Sequence, residues 1–199
     1  AIPVAEEIVE LERKAGGTKN LVSALENLAE IRVARFKLLM AEFNARTVEP
    51  NAVKAALTKL RTDPESAEAA LREGIKVADA GASDLQEQRV AMRNRLAWLL
   101  YHHFPNDPEV VIALDKNGRD KFEMRSRARY LKRTGEAESL FEQASKISAE
   151  IGPNSNAGLL TAYKYAEFAL ATGNLENAIS LLEKCIADVE RVHGKRSPS

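Results

Sequence analysis

Aromatic residues make up only 6% of this 199-residue chain, and Cys185 is its one cysteine. A lone cysteine excludes a disulfide within the chain and fits a reducing compartment, so a cytoplasmic location is expected. No apolar run approaches the ~20 residues needed to span a bilayer as a helix, so no membrane role is expected. No basic-then-apolar leader opens the sequence. The first residue is alanine rather than methionine, which suggests a chain processed or cut from something longer. Strand alternation is missing too. The short run Val110-Val111-Ile112 has flanks that read as helix. There is no His-Glu-x-x-His, no glycine-rich phosphate loop and no paired-cysteine spacing, so no metal site or cofactor is expected.

What is present favours helices. Hydrophobic residues are 45% and charged residues 29%, enough for a packed core and against wholesale disorder. Alanine and leucine are abundant, which suits close helix packing. The breakers then divide the chain. Pro3 starts a helix that Gly16-Gly17 ends, with Val4, Ile8 and Leu11 as its apolar set. A long helix is predicted over 19–45, with Leu21, Leu25, Leu28, Ile31, Leu38, Leu39 and Phe43 as its stripe. Glu49-Pro50 starts a helix to about Arg61, and Asp63-Pro64 caps another to about Ala80. Further helices are predicted over 84–103, after Pro108 to Asn117-Gly118, and over 119–133, 136–151, 156–171 and 175–193. Thr134-Gly135 and Thr172-Gly173 act as stops, and 194–199 is expected to fray. The fold class is all-α, built from hairpins with short turns.

Gly152 and Gly194 lie 42 residues apart, and the residues before them match. Ala137 pairs with Ala178, Phe141 with Leu182, Ala144 with Cys185 and Ile151 with Val192. A weaker copy, Ala67, Leu71, Gly74 and Val77, aligns with Ala137, Phe141, Ala144 and Ile147 at an offset of 70. A fixed period of this length marks a helical repeat array. Small residues in each helix, a glycine turn and this period resemble tetratricopeptide repeats of the kinesin-light-chain type. The residues carrying the likeness are Ala128, Gly135, Ala137, Phe141 and Ala144, then Ala166, Gly173, Ala178, Leu182 and Cys185. The resemblance is clear over about 119–197, soft over 64–118 and absent earlier. It implies a right-handed α-solenoid over 63–199, preceded by divergent N-terminal helices over 1–62. Ala162 and Ala169 stand where the family usually has large aromatics.

Charge is balanced overall, with 29 basic and 29 acidic residues, but residues 116–133 hold eight basic and two acidic ones. Lys121, Arg125, Arg129, Lys132 and Arg133 recur at helical spacing on one face. The resemblance implies that 119–133 is the first helix of a pair and lines a concave groove. Asn94, Trp98, Tyr101 and His102 would face that groove from one side, Tyr163 and Glu167 from the other. A basic centre with aromatic flanks suits an acidic peptide segment, since guanidinium groups pair with carboxylates. A solvated basic face is the plainer reading of such a stripe. A near-neutral chain has little long-range field for nucleic acid. Adjacent histidines such as His102-His103 point about 100° apart on a helix and do not make a ligand pair. The expected function is protein or peptide binding within a larger protein, without catalysis. The alternatives are a regulatory domain for a nucleotide-like ligand or nucleic acid, and an accessory domain of an enzyme.

Overall fold

The computed structural model describes residues 1–45, 50–81, 83–103, 119–152 and 155–193; for 40, 42–45, 50–61, 83, 103, 119–130 and 192–193 the description stops at the backbone. Among these residues every regular element is helical. The helices are α1 (Ile2–Ala15), α2 (Thr18–Ala45), α3 (Pro50–Ala80), α4 (Gln86–His103), α5 (Arg119–Ile151), α6 (Asn156–Ala171) and α7 (Leu175–His193), with a 3-10 turn at Ser83–Leu85. Gly16 ends α1 in the left-handed region at φ 72°, and its N–H returns to the Glu12 carbonyl. Ser155 caps α6, its hydroxyl accepting the Gly158 N–H at 3.1 Å.

Two breakers do not break. α3 runs straight through Asp63-Pro64, so the division after residue 62 is not a helix boundary. The reason is tertiary. Asp63 is fully buried, and its carboxylate accepts Arg35 Nε at 2.5 Å and Arg35 Nη2, with Arg32 Nη1 at 3.5 Å. It serves the arginines of α2 rather than capping its own helix. Burial of Pro64, Ala67, Ala70 and Leu71 holds the helix through the proline's lost hydrogen bond. Likewise α5 passes through Thr134-Gly135, so 119–133 and 136–151 form one helix. Gly135 is exposed with nothing near it, and a helix-interior glycine costs only about 1 kcal/mol. Ala137 and Phe141, buried just beyond, hold the helix through it. In α1 the buried side is Ile2, Ala5 and Val9, and Val4, Ile8 and Leu11 face outward. The short helix expected after Pro108 lies outside the described residues.

Each helix packs chiefly on its neighbours in sequence, and α2 with α4 and α4 with α6 also touch. The chain is therefore a stack of antiparallel hairpins, α2–α3, α4–α5 and α6–α7, with α1 laid on the first. One core runs along it, from Val22 and Leu25 through Leu71, Met92 and Leu96 to Phe141 and Phe168. The hairpins are joined by Arg93 of α4, itself 6% exposed. It donates to Asp79 of α3 at 2.7 and 3.0 Å and to Gln143 of α5 at 3.2 Å. Arg89 closes the end of α3 by donating to the Ala78 and Gly81 carbonyls.

Gly74 sets the spacing of these helices. A Cβ placed there would lie 1.8 Å from Met92 Cε and 3.7 Å from Leu25 Cβ. Met92 is fully buried, and the end of its side chain would have to move. Gly74→Val is expected to lower the unfolding free energy by about 1–3 kcal/mol through overpacking. Urea denaturation followed by circular dichroism reads this, and adding Met92→Ala should recover part of the loss.

Candidate functional site

The first helices of the three hairpins, α2, α4 and α6, share one open face. It holds a cavity of about 500 Å³ whose walls include Val33 and Lys37 of α2, Asn94, Arg95 and Trp98 of α4, and Leu160 and Lys164 of α6. Next to it lies a second hollow of about 370 Å³, reached by Trp98, Tyr101, His102, Lys164 and Glu167. Trp98 belongs to both, as does Lys164.

Cations and rings are arranged closely here. Lys37 Nζ stands over the Trp98 ring at 4.4 Å from its centroid, a cation–π contact. The His102 ring lies 4.3 Å from the Trp98 ring, and Tyr101 meets Phe168 edge-on at 5.3 Å. Arg95 is held by Glu26 at 2.6 Å and Glu30 at 2.7 Å. Burial raises the Glu26 pKa, and Arg95 opposes that rise. Lys37 and Lys164 form no ion pair among the described residues, while Glu30 and Glu167 line the same face, so its charge is mixed.

Asn94 is the polar centre. Its side chain is 3% exposed, and Nδ2 donates to Thr161 Oγ1 at 2.8 Å. The Thr161 hydroxyl donates in turn to the Ala157 carbonyl at 2.7 Å. The Asn94 Oδ1 atom is buried and has no hydrogen-bond partner among the described residues. A buried unmet acceptor costs roughly 1–3 kcal/mol and calls for a donor.

The residues expected at a groove are distributed unevenly. Asn94, Trp98 and Tyr101 come together on this face, with Trp98 and Tyr101 half-buried. Tyr163 is exposed and donates to Glu167 Oε1 at 3.2 Å, outside both hollows. Lys132 is exposed. Arg133 donates to Glu68 of α3 at 3.1 Å, where the second helices of two hairpins meet. The side chains of Lys121, Arg125 and Arg129 lie outside the described residues. Their helix is the leading half of a second helix, α5, because no turn forms at Gly135. Lys164 is not foreseen in the sequence. Lys37 stands out there only with Arg32 and Arg35 on a possible docking helix, and not at a groove, because no repeat register reaches α2.

Elsewhere the chemistry is quiet. Cys185 is half-buried, and burial raises its thiol pKa, so it behaves as a small packing residue. Among the described residues no group of three or more histidines, cysteines or carboxylates is placed to hold a metal, and no helix is long and apolar enough to cross a membrane. At His102, partial burial lowers the pKa, Glu167 pulls it back up, and Lys37 and Lys164 push it further down. An NMR titration of His102 should therefore show a midpoint below the ordinary histidine value. Glu167→Gln should lower that midpoint further, and Lys37→Met should raise it.

No protein-family model matches the chain, and no curated protein matches it in sequence. Solved structures are similar in their run of helices. Two are of a putative kinesin light chain from Podosopora anserina with nearly identical TPR-like repeats, one of them a single-substitution form of the other. Both share 17% identity with this chain and cover 98% of it and 97% of their own length, at TM-scores of 0.31 and 0.30.

Proposed function

We propose that the chain is a non-catalytic protein-interaction module, and that the face of α2, α4 and α6 takes an extended segment of a partner protein. The observation that carries this reading is the open, largely apolar cavity shared by α2, α4 and α6, with Trp98 and Leu160 in its walls. An apolar side chain of such a segment would fill the space by Trp98 and Leu160. Lys37 and Lys164 form no ion pair among the described residues and could each meet a carboxylate of the segment, which favours acidic side chains at those two points. Tyr101 and Tyr163 extend the reading toward the end of α6.

The basic segment of α5 is a flanking part of this proposal. Arg125, Arg129 and Lys132 would meet acidic residues beyond the cavity, and Arg133 would have to leave Glu68 to join them. A reducing, cytoplasmic setting suits the single cysteine. Binding of nucleotides or nucleic acid is the competing reading, and salt dependence separates the two.

An array of eight-residue peptides of varied charge, probed with the labelled chain, tests the proposal. Acidic peptides with one aromatic residue should bind, and Lys37→Glu with Lys164→Glu should weaken them at least tenfold at unchanged helicity. Loss of binding on Arg125→Glu with Arg129→Glu alone would move the site to α5. Equal binding of unrelated oligonucleotides with a steep salt slope would contradict the peptide reading.

A further inference from the structure

The last helix is packed on one side only. Its inner side meets α6 through buried Ala178. Its other side presents Leu175, Ile179, Leu182, Ile186 and Val189, each between 40% and 59% exposed. Steps of four, three, four and three residues bring these five into a single seam, with isoleucines and leucines alternating along most of it. Glu176, Glu183 and Glu190, seven residues apart, follow the open edge of the seam. None of the three forms an ion pair among the described residues. Lys184 and Arg191 fall on the far side of the helix, and Arg191 is taken by Asp188 at 2.5 Å.

The internal joints show what such a surface receives. In register, Leu182 corresponds to Phe141 of α5 and Leu71 of α3, both 1% exposed. Phe141 is covered by Tyr165 and Phe168 of α6, the first helix of the following hairpin. Cys185 corresponds to Ala144 and Gly74, the tight points of those joints, and is itself only half-buried. Glu190 corresponds to Asp79 of α3, whose carboxylate is taken by Arg93 of the following helix at 2.7 Å. So α7 shares with α3 the apolar position of Leu182, the small-residue notch and the carboxylate at Glu190, whereas Glu183 stands where α3 has Arg72 and Ile179 where it has Glu68.

We infer that this seam is a docking surface for an amphipathic helix of another polypeptide, with an apolar stripe and arginine along its edge. That helix would lie where the first helix of a following hairpin lies at the α3–α4 joint. Charge chooses this occupant over a second copy of the chain. Two α7 seams laid antiparallel would set one glutamate edge against the other, and neither would supply an arginine.

A labelled synthetic peptide of residues 86–103, the α4 sequence that meets α3 in this way, serves as the probe. Its fluorescence anisotropy is followed as the full chain is added. Binding is expected, at least tenfold weaker on Leu182→Asp with Ile186→Asp, and at least threefold weaker on Glu183→Lys with Glu190→Lys. The second loss should be recovered by a peptide carrying Arg89→Glu and Arg93→Glu. All four positions are exposed, so these variants should keep the helicity and unfolding midpoint of the parent. Lys37→Glu with Lys164→Glu should leave this binding unchanged, which separates the seam from the α2–α4–α6 face. Absence of binding, or binding indifferent to both α7 double variants, would overturn the inference. So would self-association of the unliganded chain in sedimentation velocity that Leu182→Asp with Ile186→Asp abolishes, because the occupant would then be a second copy.

Discussion

Everything in this molecule depends on how closely its helices approach. At Gly74, α3 meets Leu25 of α2 on one side and Met92 of α4 on the other, in a space that a single methyl group would overfill. Ala67, Ala78, Ala97, Ala137, Ala144 and Ala166 stand almost wholly buried along the same stack. Small residues at the crossings let backbones draw together, and dispersion contacts then accumulate along the whole length of each pair. This is why a chain with so few aromatics still has a continuous core. The few it has are concentrated: Phe141, Tyr165 and Phe168 cluster where α5 receives α6.

Close approach on one side of the first helices leaves their other side open. The hollow along α2, α4 and α6 is the surface that remains after each first helix has packed on its own and the preceding second helix. Its position is fixed by Arg93, which ties α3, α4 and α5 through partly buried hydrogen bonds. Its character is set by which side chains the open face carries. Arg95 is neutralised by Glu26 and Glu30, Lys37 lies over Trp98, and Asn94 keeps an unmet oxygen. The same nearest-neighbour logic explains the ends. A stack of this kind has no intrinsic reason to stop, and α7 shows the apolar seam that an internal helix would bury.

The helical class was plain in the sequence because punctuation and 3.6-residue periodicity agree over most of the chain. Gly16 and Ser155 behave as such residues do when nothing else competes. Asp63-Pro64 and Thr134-Gly135 mislead for one physical reason: local propensity is worth about 1–3 kcal/mol, and the apolar side chains buried just beyond each, Ala67, Ala70 and Leu71 or Ala137, Leu140 and Phe141, outweigh it. Losing those two breaks hid the real repeat. The offset of 70 between Ala67 and Ala137 looked like an irregular fraction of a short period, yet it is the spacing of two long second helices. With 119–133 read as a first helix, the basic stripe was assigned to a groove. Asn94, Trp98 and Tyr101 were found because α4 was bounded correctly. Lys37 was not, because contact across two hairpins leaves no local mark in a single sequence.

The central claim is that stability passes from helix to neighbouring helix through tight crossings, with α3, α4 and α5 at the middle. Native-state amide hydrogen exchange tests this most directly, because it reports local opening along the chain. The account predicts the strongest protection around Leu71, Met92, Leu96 and Phe141, falling stepwise toward α1 and α7. Equal protection in every helix, or greatest protection at either end, would contradict it.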